Sequence, residues 1–214
     1  MSSLLKRLLQ PNVAALAGII GPFYAFMCIM IAIIVSPWFT WTGNALSDLG
    51  NLSKYPTSPV SSLVFNSGLI IAGIITIFAV LGLAMNVRKH IVALISAAIL
   101  LVGTVALICI GLFPENFPPW HFIFSVTLFS CIALAMLVFG VVFTYHKETR
   151  ILGYFSLIAG VVAAAPWIPY IFLSWNIGAA VPEIISALTV YAWILIMSTR
   201  IASGSEIIPK QSKI

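Results

Sequence analysis

Polar side chains that could perform acid–base chemistry or bind a ligand are concentrated in a few stretches of this otherwise apolar chain. Three carboxylates and one imidazole stand out: Asp48, Glu115, Glu183 and His121. A carboxylate beside an imidazole can form an acid–base pair, and carboxylates at one depth can bind a hard metal ion. The richest stretch is Ser36–Asn51, which reads SPWFTWTGNALSDLGN. The candidate ligand-binding residues are Asn44, Ser47, Asp48, Asn51, Glu115, His121 and Glu183.

Each of these groups also has a structural interpretation. Asp48 could cap a short helix at the membrane interface, with Gly50 and Asn51 forming a left-handed C-cap. Glu183 follows a proline near a predicted helix N-terminus, where the helix dipole favours a carboxylate. His121 could donate a hydrogen bond to a loop carbonyl. A shared outer site and separate structural roles therefore both stay open.

Established catalytic and metal-binding signatures are missing from the sequence. It has no His-Glu-x-x-His, no Gly-x-Ser-x-Gly, no Walker loop and no pair of histidines spaced on one span to bind haem. Cys28, Cys109 and Cys131 all lie in apolar runs, where they are predicted to pack as small apolar side chains. We therefore predict no metal ion and no cofactor.

The composition indicates a helical membrane protein. Hydrophobic residues make up 62% of the 214 residues, charged residues make up 7%, and the mean hydropathy is +1.15. Soluble domains carry about 25% charged residues, so this chain has too few to cover a water-facing surface. The net charge of +5 does not indicate nucleic-acid binding, because the basic residues form short clusters between apolar runs.

The pattern predicts an all-α polytopic protein with six transmembrane helices in three outward-opening hairpins. Each apolar run has roughly the 17–25 residues needed to cross a bilayer. The predicted spans are Asn12–Val35, Leu63–Ala84, Ile91–Leu112, His121–Tyr145, Ile151–Leu173 and Glu183–Thr199. The predicted divisions are a cytoplasmic amphipathic lead-in (1–11), a transmembrane domain (12–200) and a cytoplasmic polar tail (201–214). Pro166 and Pro169 interrupt the fifth span, giving either a simple kink or a helix that lines a cavity.

The distribution of Lys and Arg predicts the orientation in the membrane. Lys54 falls on one side of the six-span layout, and the others fall on the opposite side: Lys6, Arg7, Arg88, Lys89, Lys147, Arg150, Arg200, Lys210 and Lys213. Because basic loops stay in the cytoplasm, we expect both termini to be cytoplasmic and the protein to lie in the plasma membrane.

Three sequence segments carry a resemblance to a known family. They are SPWFTWTGNALSDLGN, the FNSGL of Phe65–Leu69, and the GLFPE of Gly111–Glu115 followed by His121. With them the chain resembles the uncharacterised membrane family catalogued as domain of unknown function 998. The resemblance implies a six-span prokaryotic membrane protein, of a type common in archaea, with no assigned activity. The shared pattern contains Asn44, Ser47, Asp48, Gly50, Pro114, Glu115 and His121, whereas Glu183 is a candidate from its chemistry and placement.

Three functions are compatible with these features. The first is binding or moving a lipid headgroup or small amphiphile, with Asp48, Glu115 and His121 as polar contacts. The second is a membrane-embedded enzyme that acts on a lipid or lipid-linked substrate at the outer leaflet. The third is an accessory subunit of a membrane complex. The expected partners are membrane lipids and a homo-oligomer or larger membrane complex, without nucleic acid.

Overall fold

The computed structural model describes residues 10–53, 59–173 and 177–208, and this part of the chain is helical without strands. Two short 3-10 helices, Leu46–Gly50 and Lys147–Thr149, accompany the α-helices. The α-helices are α1 (Pro11–Ile34), α2 (Pro59–Val87), α3 (Ile91–Leu112), α4 (Trp120–Thr144), α5 (Arg150–Ala164), α6 (Trp167–Phe172) and α7 (Ala180–Ala202). Most of the predicted amphipathic lead-in and part of the predicted polar tail lie outside the described residues.

Six helical stretches in the described residues are long and apolar enough to cross a membrane. They are α1, α2, α3, α4, α7 and the stretch Lys147–Phe172, with mean hydropathies between 1.8 and 2.8. The prediction of an all-α, multi-pass membrane protein is therefore confirmed.

Helix α2 extends further into polar sequence than its predicted span. Helix α2 begins at Pro59 and ends at Val87, whereas hydropathy predicted Leu63–Ala84. The extra turns hold polar side chains that bond to their own helix. Ser62 Oγ donates to the carbonyl of Pro59 at 3.2 Å, and Asn86 Nδ2 donates to the carbonyl of Gly82 at 2.9 Å. Because these groups are satisfied locally, the helix continues beyond the apolar run.

The fifth span is broken at Pro166, as the sequence predicted. Helix α5 ends at Ala164 and α6 begins at Trp167. Proline has no N–H to continue the hydrogen-bond ladder, and its ring clashes with the preceding turn. The break therefore follows directly from the sequence.

The helices form a ring. Each of the first four α-helices packs against the next one along the chain, and α7 closes the ring by packing against α1 and α5. Trp193 on α7 is fully buried against Phe139 on α4, and its Nε1 donates to Ser156 Oγ on α5 at 2.8 Å. A Cβ atom at Gly160 of α5 would lie 2.6 Å from Leu137 Cγ on α4. Small residues thus allow close approach of these helices, as in other membrane bundles.

The two ends of the bundle differ in charge. At the end where α1 and α3 finish and α4 and α7 begin lie Asp48, Glu115 and Glu183, and we name it the acidic end. The described Lys and Arg residues are all at the opposite, basic end: Arg88, Lys89, Lys147, Arg150 and Arg200. Lys54 lies outside the described residues.

Candidate functional site

Residues 36–53 form a folded segment over the acidic end, which we name the cap. Its 3-10 helix, Leu46–Gly50, is buried along its whole length. Leu46 is 4% exposed and Leu49 is 1% exposed. Both pack in a cluster of apolar side chains from α1, α2, α3 and α7: Ile29, Ala32, Phe65, Leu69, Ile110 and Ala180. Burial of these two leucines draws the polar residues between them against the helix ends.

Asp48 accepts hydrogen bonds from two other residues of the cap. Its Oδ2 accepts a hydrogen bond from Asn44 Nδ2 at 2.8 Å and one from the backbone amide of Ala45 at 3.2 Å. Asn44 Oδ1 in turn accepts the amide of Thr40 at 2.9 Å. The side chains of Asn44 and Asp48 are both buried. The structural interpretation of Asp48, as the capping residue of a short helix, agrees with these contacts.

Glu183 joins the cap to α7. Its Oε2 accepts the backbone amide of Leu46 at 2.5 Å, and the amide of Ser47 is a second backbone donor. Amides at the start of a helix have no partner within that helix, so a carboxylate from another element suits this position. Next to this contact, the amide of Ala180 donates to the carbonyl of Asn44 at 3.0 Å. Glu183 lies in the first turn of α7, as the sequence predicted, and is buried.

Glu115 joins the cap to the loop between α3 and α4. Its Oε2 accepts Asn51 Nδ2 at 3.1 Å, and Asn116 Oδ1 accepts the amide of Leu52 at 3.3 Å. Asp48 and Glu115 also lie close enough to Glu183 to interact with it electrostatically. The three carboxylates are therefore neighbours around the cap.

His121, also at the acidic end, forms a hydrogen bond with the end of α3 and not with the cap. Its Nδ1 lies 2.9 Å from the carbonyl oxygen of Phe113, and the side chain is 8% exposed. Because a carbonyl only accepts, Nδ1 carries the proton in this contact. This is the bond to a loop carbonyl that the structural interpretation predicted. It connects the end of α3 to the first turn of α4.

The predicted left-handed C-cap at Gly50 and Asn51 is wrong. Asn51 has φ −71° and ψ 119°, which is extended backbone. Gly50 is required here for space, because a Cβ atom would lie 2.8 Å from Phe65 Cδ1. The same close approach lets Asn66 Nδ2 donate to the carbonyl of Gly50 at 2.9 Å. The backbone conformation at Gly50 and Asn51 is therefore set by packing against α2. Neighbouring residues in the sequence do not reveal this packing.

Beneath the cap lies a cavity of about 140 Å³ inside the helix ring. Most of its wall is apolar, with contributions from α1, α2, α3, α4, α7 and the cap. Glu183 and Ser47 line it where it meets the cap. Thr76 and Thr104 also line it, and each hydroxyl donates to a carbonyl of its own helix, at 2.8 Å and 2.9 Å. The cavity can therefore hold an apolar group with a polar group at its outer end.

The cavity reaches towards the surface of the bundle. Leu188 of α7 lines it and is 45% exposed, so this part of the wall is also the face that meets lipid. None of the lining residues comes from α5 or α6. The break at Pro166 therefore takes no part in this cavity.

Sequence patterns did not identify most of the cavity wall. Leu100, Leu128 and Ile184 are ordinary apolar span residues, and only the arrangement of helices makes them neighbours. Two lining residues were candidates from the sequence, Ser47 and Glu183, and Glu183 stood out because charged groups at membrane depth are costly. Among the described residues, no three His, Cys, Asp or Glu side chains are grouped to bind a metal ion.

The comparison with protein families gave one match. The family described as "Protein of unknown function (DUF998)" matches residues 19–200, which includes every candidate residue. No curated protein and no solved structure matches the chain.

Proposed function

The chain belongs to the DUF998 family, and from this premise we propose that the protein binds a small amphiphile between its membrane helices. The observation that carries the proposal is the largely apolar cavity of about 140 Å³ with the Glu183 carboxylate in its wall beneath the cap. The apolar part of the ligand occupies the cavity. Its polar group lies at Glu183 and Ser47.

The cavity volume limits the size of the ligand. An engineered cavity of about 150 Å³ in another protein binds benzene, so this one suits a group of about six carbon atoms. A whole diacyl lipid is too large, and only a short chain or one end of a longer chain fits. Leu188, which lines the cavity at the lipid-facing surface, provides a wall through which such a molecule can enter from the bilayer.

Binding in a membrane depends on the polar group. A ligand that arrives from lipid already has an apolar environment, so burying its alkyl chain in the cavity contributes little hydrophobic free energy. The ligand's preference for the cavity over the surrounding lipid must therefore come from shape and hydrogen bonding. The buried Glu183, which can accept more than the two backbone bonds it has, is the group that supplies it.

The same contacts favour binding over acid–base catalysis. His121 Nδ1 is bonded to the Phe113 carbonyl, while Asp48 and Glu115 accept bonds from the cap. Asp48 and Glu115 thus hold the cap, and His121 holds the α3–α4 loop, so each has a structural role. The cavity in turn favours a ligand-binding protein over an accessory subunit that has only a docking surface.

We place this binding site on the external side of the plasma membrane, with both termini in the cytoplasm. The support is the charge distribution, because the described Lys and Arg residues lie together at the basic end, and basic loops remain cytoplasmic. The cap and the outer end of the cavity then face the outer leaflet. Membrane lipids surround the protein there.

A cavity-filling variant tests the proposal. Ala187 lines the cavity, whereas Ala192 on the same helix is exposed on the surface of the bundle. With labelled 1-hexanol as the probe and protein in phosphatidylcholine nanodiscs, wild type and Ala192→Phe are expected to bind, and Ala187→Phe to lose binding about tenfold or more. Ala25→Leu fills the cavity from α1 if Ala187→Phe does not fold. Absence of binding to wild type, or equal binding by all variants, contradicts the proposal.

A further inference from the structure

Glu183 uses its carboxyl group in two directions, towards the cap and towards the cavity. On the side of the cap it accepts the backbone amides of Leu46, at 2.5 Å, and of Ser47. The side chain is 8% exposed and also lines the cavity. The group that occupies the cavity next to the cap therefore meets this carboxyl group directly.

Burial favours the neutral form of the Glu183 carboxyl group. Removing a carboxylate from water is costly, and a carboxyl group in a largely apolar site keeps its proton instead. A neutral carboxyl group still accepts the two backbone amides, and it has in addition one O–H to donate. Glu183 is therefore a hydrogen-bond donor in the wall of a cavity that is mostly apolar.

An oxygen atom of the ligand supplies the acceptor that this donor needs. We propose that the amphiphile is a neutral carbonyl compound (a ketone, ester or amide) whose carbonyl oxygen accepts the O–H of Glu183 while a chain of about six carbon atoms fills the apolar cavity. This inference rests on the proposed binding function and adds the chemical class of the ligand. A carbonyl oxygen has two lone pairs and no hydrogen to donate, so it matches a donor.

The carbonyl group also explains how a ligand is preferred over lipid. The hydrocarbon of the bilayer offers a carbonyl oxygen no hydrogen-bond donor, so the bond to Glu183 is gained on binding. An alkane of the same size fills the cavity and leaves the buried O–H of Glu183 without that acceptor, which costs free energy. The hydroxyl of Ser47, which lines the same end, both donates and accepts and so does not distinguish between these ligands.

Three probes with six carbon atoms test this class. Binding of 2-hexanone, 1-hexanol and n-hexane to the protein in phosphatidylcholine nanodiscs is measured at equilibrium, with uptake by empty nanodiscs subtracted. Wild type is expected to bind 2-hexanone about tenfold or more tightly than n-hexane, and 1-hexanol within about threefold of 2-hexanone. Binding of 1-hexanol together with 2-hexanone no tighter than n-hexane overturns the carbonyl proposal and leaves the binding function standing. Absence of 1-hexanol binding overturns the binding function itself.

Two substitutions at Glu183 distinguish a neutral donor from a charge. Glu183→Gln resembles the neutral carboxyl group, because its carbonyl can accept the amide of Leu46 and its N–H can donate to the ligand. The preference for 2-hexanone over n-hexane is expected to persist in it. Glu183→Met has a similar size and no donor, and it is expected to lose the preference. Loss of the preference in Glu183→Gln, or its persistence in Glu183→Met, overturns the assignment.

Glu115→Gln is the matched control at the same end of the bundle. Glu115 bonds to Asn51 of the cap and does not line the cavity. The preference for 2-hexanone is expected to persist in this variant, and its loss there would place the donor outside Glu183. If Glu183→Met does not fold, loss of the preference in Glu183→Gln still overturns the proposal.

Two sources offer such a carbonyl group, a free small molecule and the acyl ester of a membrane lipid. The cavity of about 140 Å³ holds a free six-carbon molecule whole and is too small for a full acyl chain. Nanodiscs of ether-linked phosphatidylcholine, which has no ester carbonyl, distinguish the two sources. Unchanged affinity for 2-hexanone supports the free molecule. Higher affinity in the ether-linked lipid shows that lipid esters compete for Glu183, which supports the same carbonyl class with lipid as its source.

Discussion

The carboxylate of Glu183 accepts the backbone amide of Leu46 at 2.5 Å, although 137 positions of sequence separate the two residues. Leu46 is the first residue of the buried 3-10 helix in the cap, and Glu183 lies in the first turn of α7. The same carboxylate lines the cavity. One side chain therefore holds the cap closed and supplies the polar end of the proposed binding site.

Removing the Glu183 acceptor is expected to destabilise the protein. Glu183→Ala leaves the buried amide of Leu46 without its partner, at a cost of about 1–3 kcal/mol in the free energy of unfolding. Glu183→Gln retains a carbonyl acceptor and is expected to cost less. Reversible unfolding in mixed micelles measures both. Glu148→Ala is the control, because that carboxylate is exposed at the basic end, and equal losses in the three variants would contradict the prediction.

The contact between α1 and α7 depends on the absence of a side chain at Gly18. A Cβ atom there would collide with Ser198 Oγ and lie 3.2 Å from Ile194 Cγ2. Gly18→Ala is therefore expected to lower the free energy of unfolding by about 1–3 kcal/mol, despite the better helix propensity of alanine.

A double-mutant cycle identifies the cause of that loss. Ser198→Ala removes the hydroxyl that the new methyl group would meet, so the double variant is expected to be more stable than Gly18→Ala alone. Ile194 still crowds the site, and recovery is expected to be partial. Strictly additive effects in the cycle would show that the loss arises elsewhere.

The bond between Asn51 and Glu115 connects the cap to the α3–α4 loop. Asn51→Asp places a second carboxylate where an amide donated at 3.1 Å, and like-charge repulsion is expected to lower the thermal midpoint at neutral pH. When Glu115→Gln is added, position 115 carries an amide that can donate to the carboxylate at position 51, so the hydrogen bond is restored with donor and acceptor exchanged. The double variant should then unfold at a higher temperature than Asn51→Asp alone, by differential scanning fluorimetry. A double variant no more stable than Asn51→Asp contradicts this pairing.

Orientation in the membrane is tested with single cysteines. Cys28, Cys109 and Cys131 are first replaced, and cysteine is then introduced at Lys54 or Lys89. An impermeant maleimide added to intact cells is expected to label Lys54→Cys and to leave Lys89→Cys unlabelled until the cells are opened, because basic loops remain cytoplasmic. The reverse pattern would place the cap in the cytoplasm.

The sequence alone determined the class of protein and the number of spans. Whether about 20 consecutive residues can cross a bilayer depends on their own hydrophobicity, so each span could be recognised without knowledge of its neighbours. Local chemistry also predicted the capping role of Asp48, the break at Pro166 and the bond from His121 to a loop carbonyl. These features involve residues that are close in the chain.

Only the tertiary structure decided which groups meet. The spans are strongly apolar, with mean hydropathies between 1.8 and 2.8, and their few polar residues did not mark in advance the side that faces the cavity. The extended backbone of Asn51 follows from packing of Gly50 against Phe65 on another helix. The pairing of Leu46 with Glu183, and the cavity beside it, depend on how α7 closes the ring. Such long-range geometry is a property of the packed bundle as a whole, because neither residue constrains the other until the helices between them have assembled.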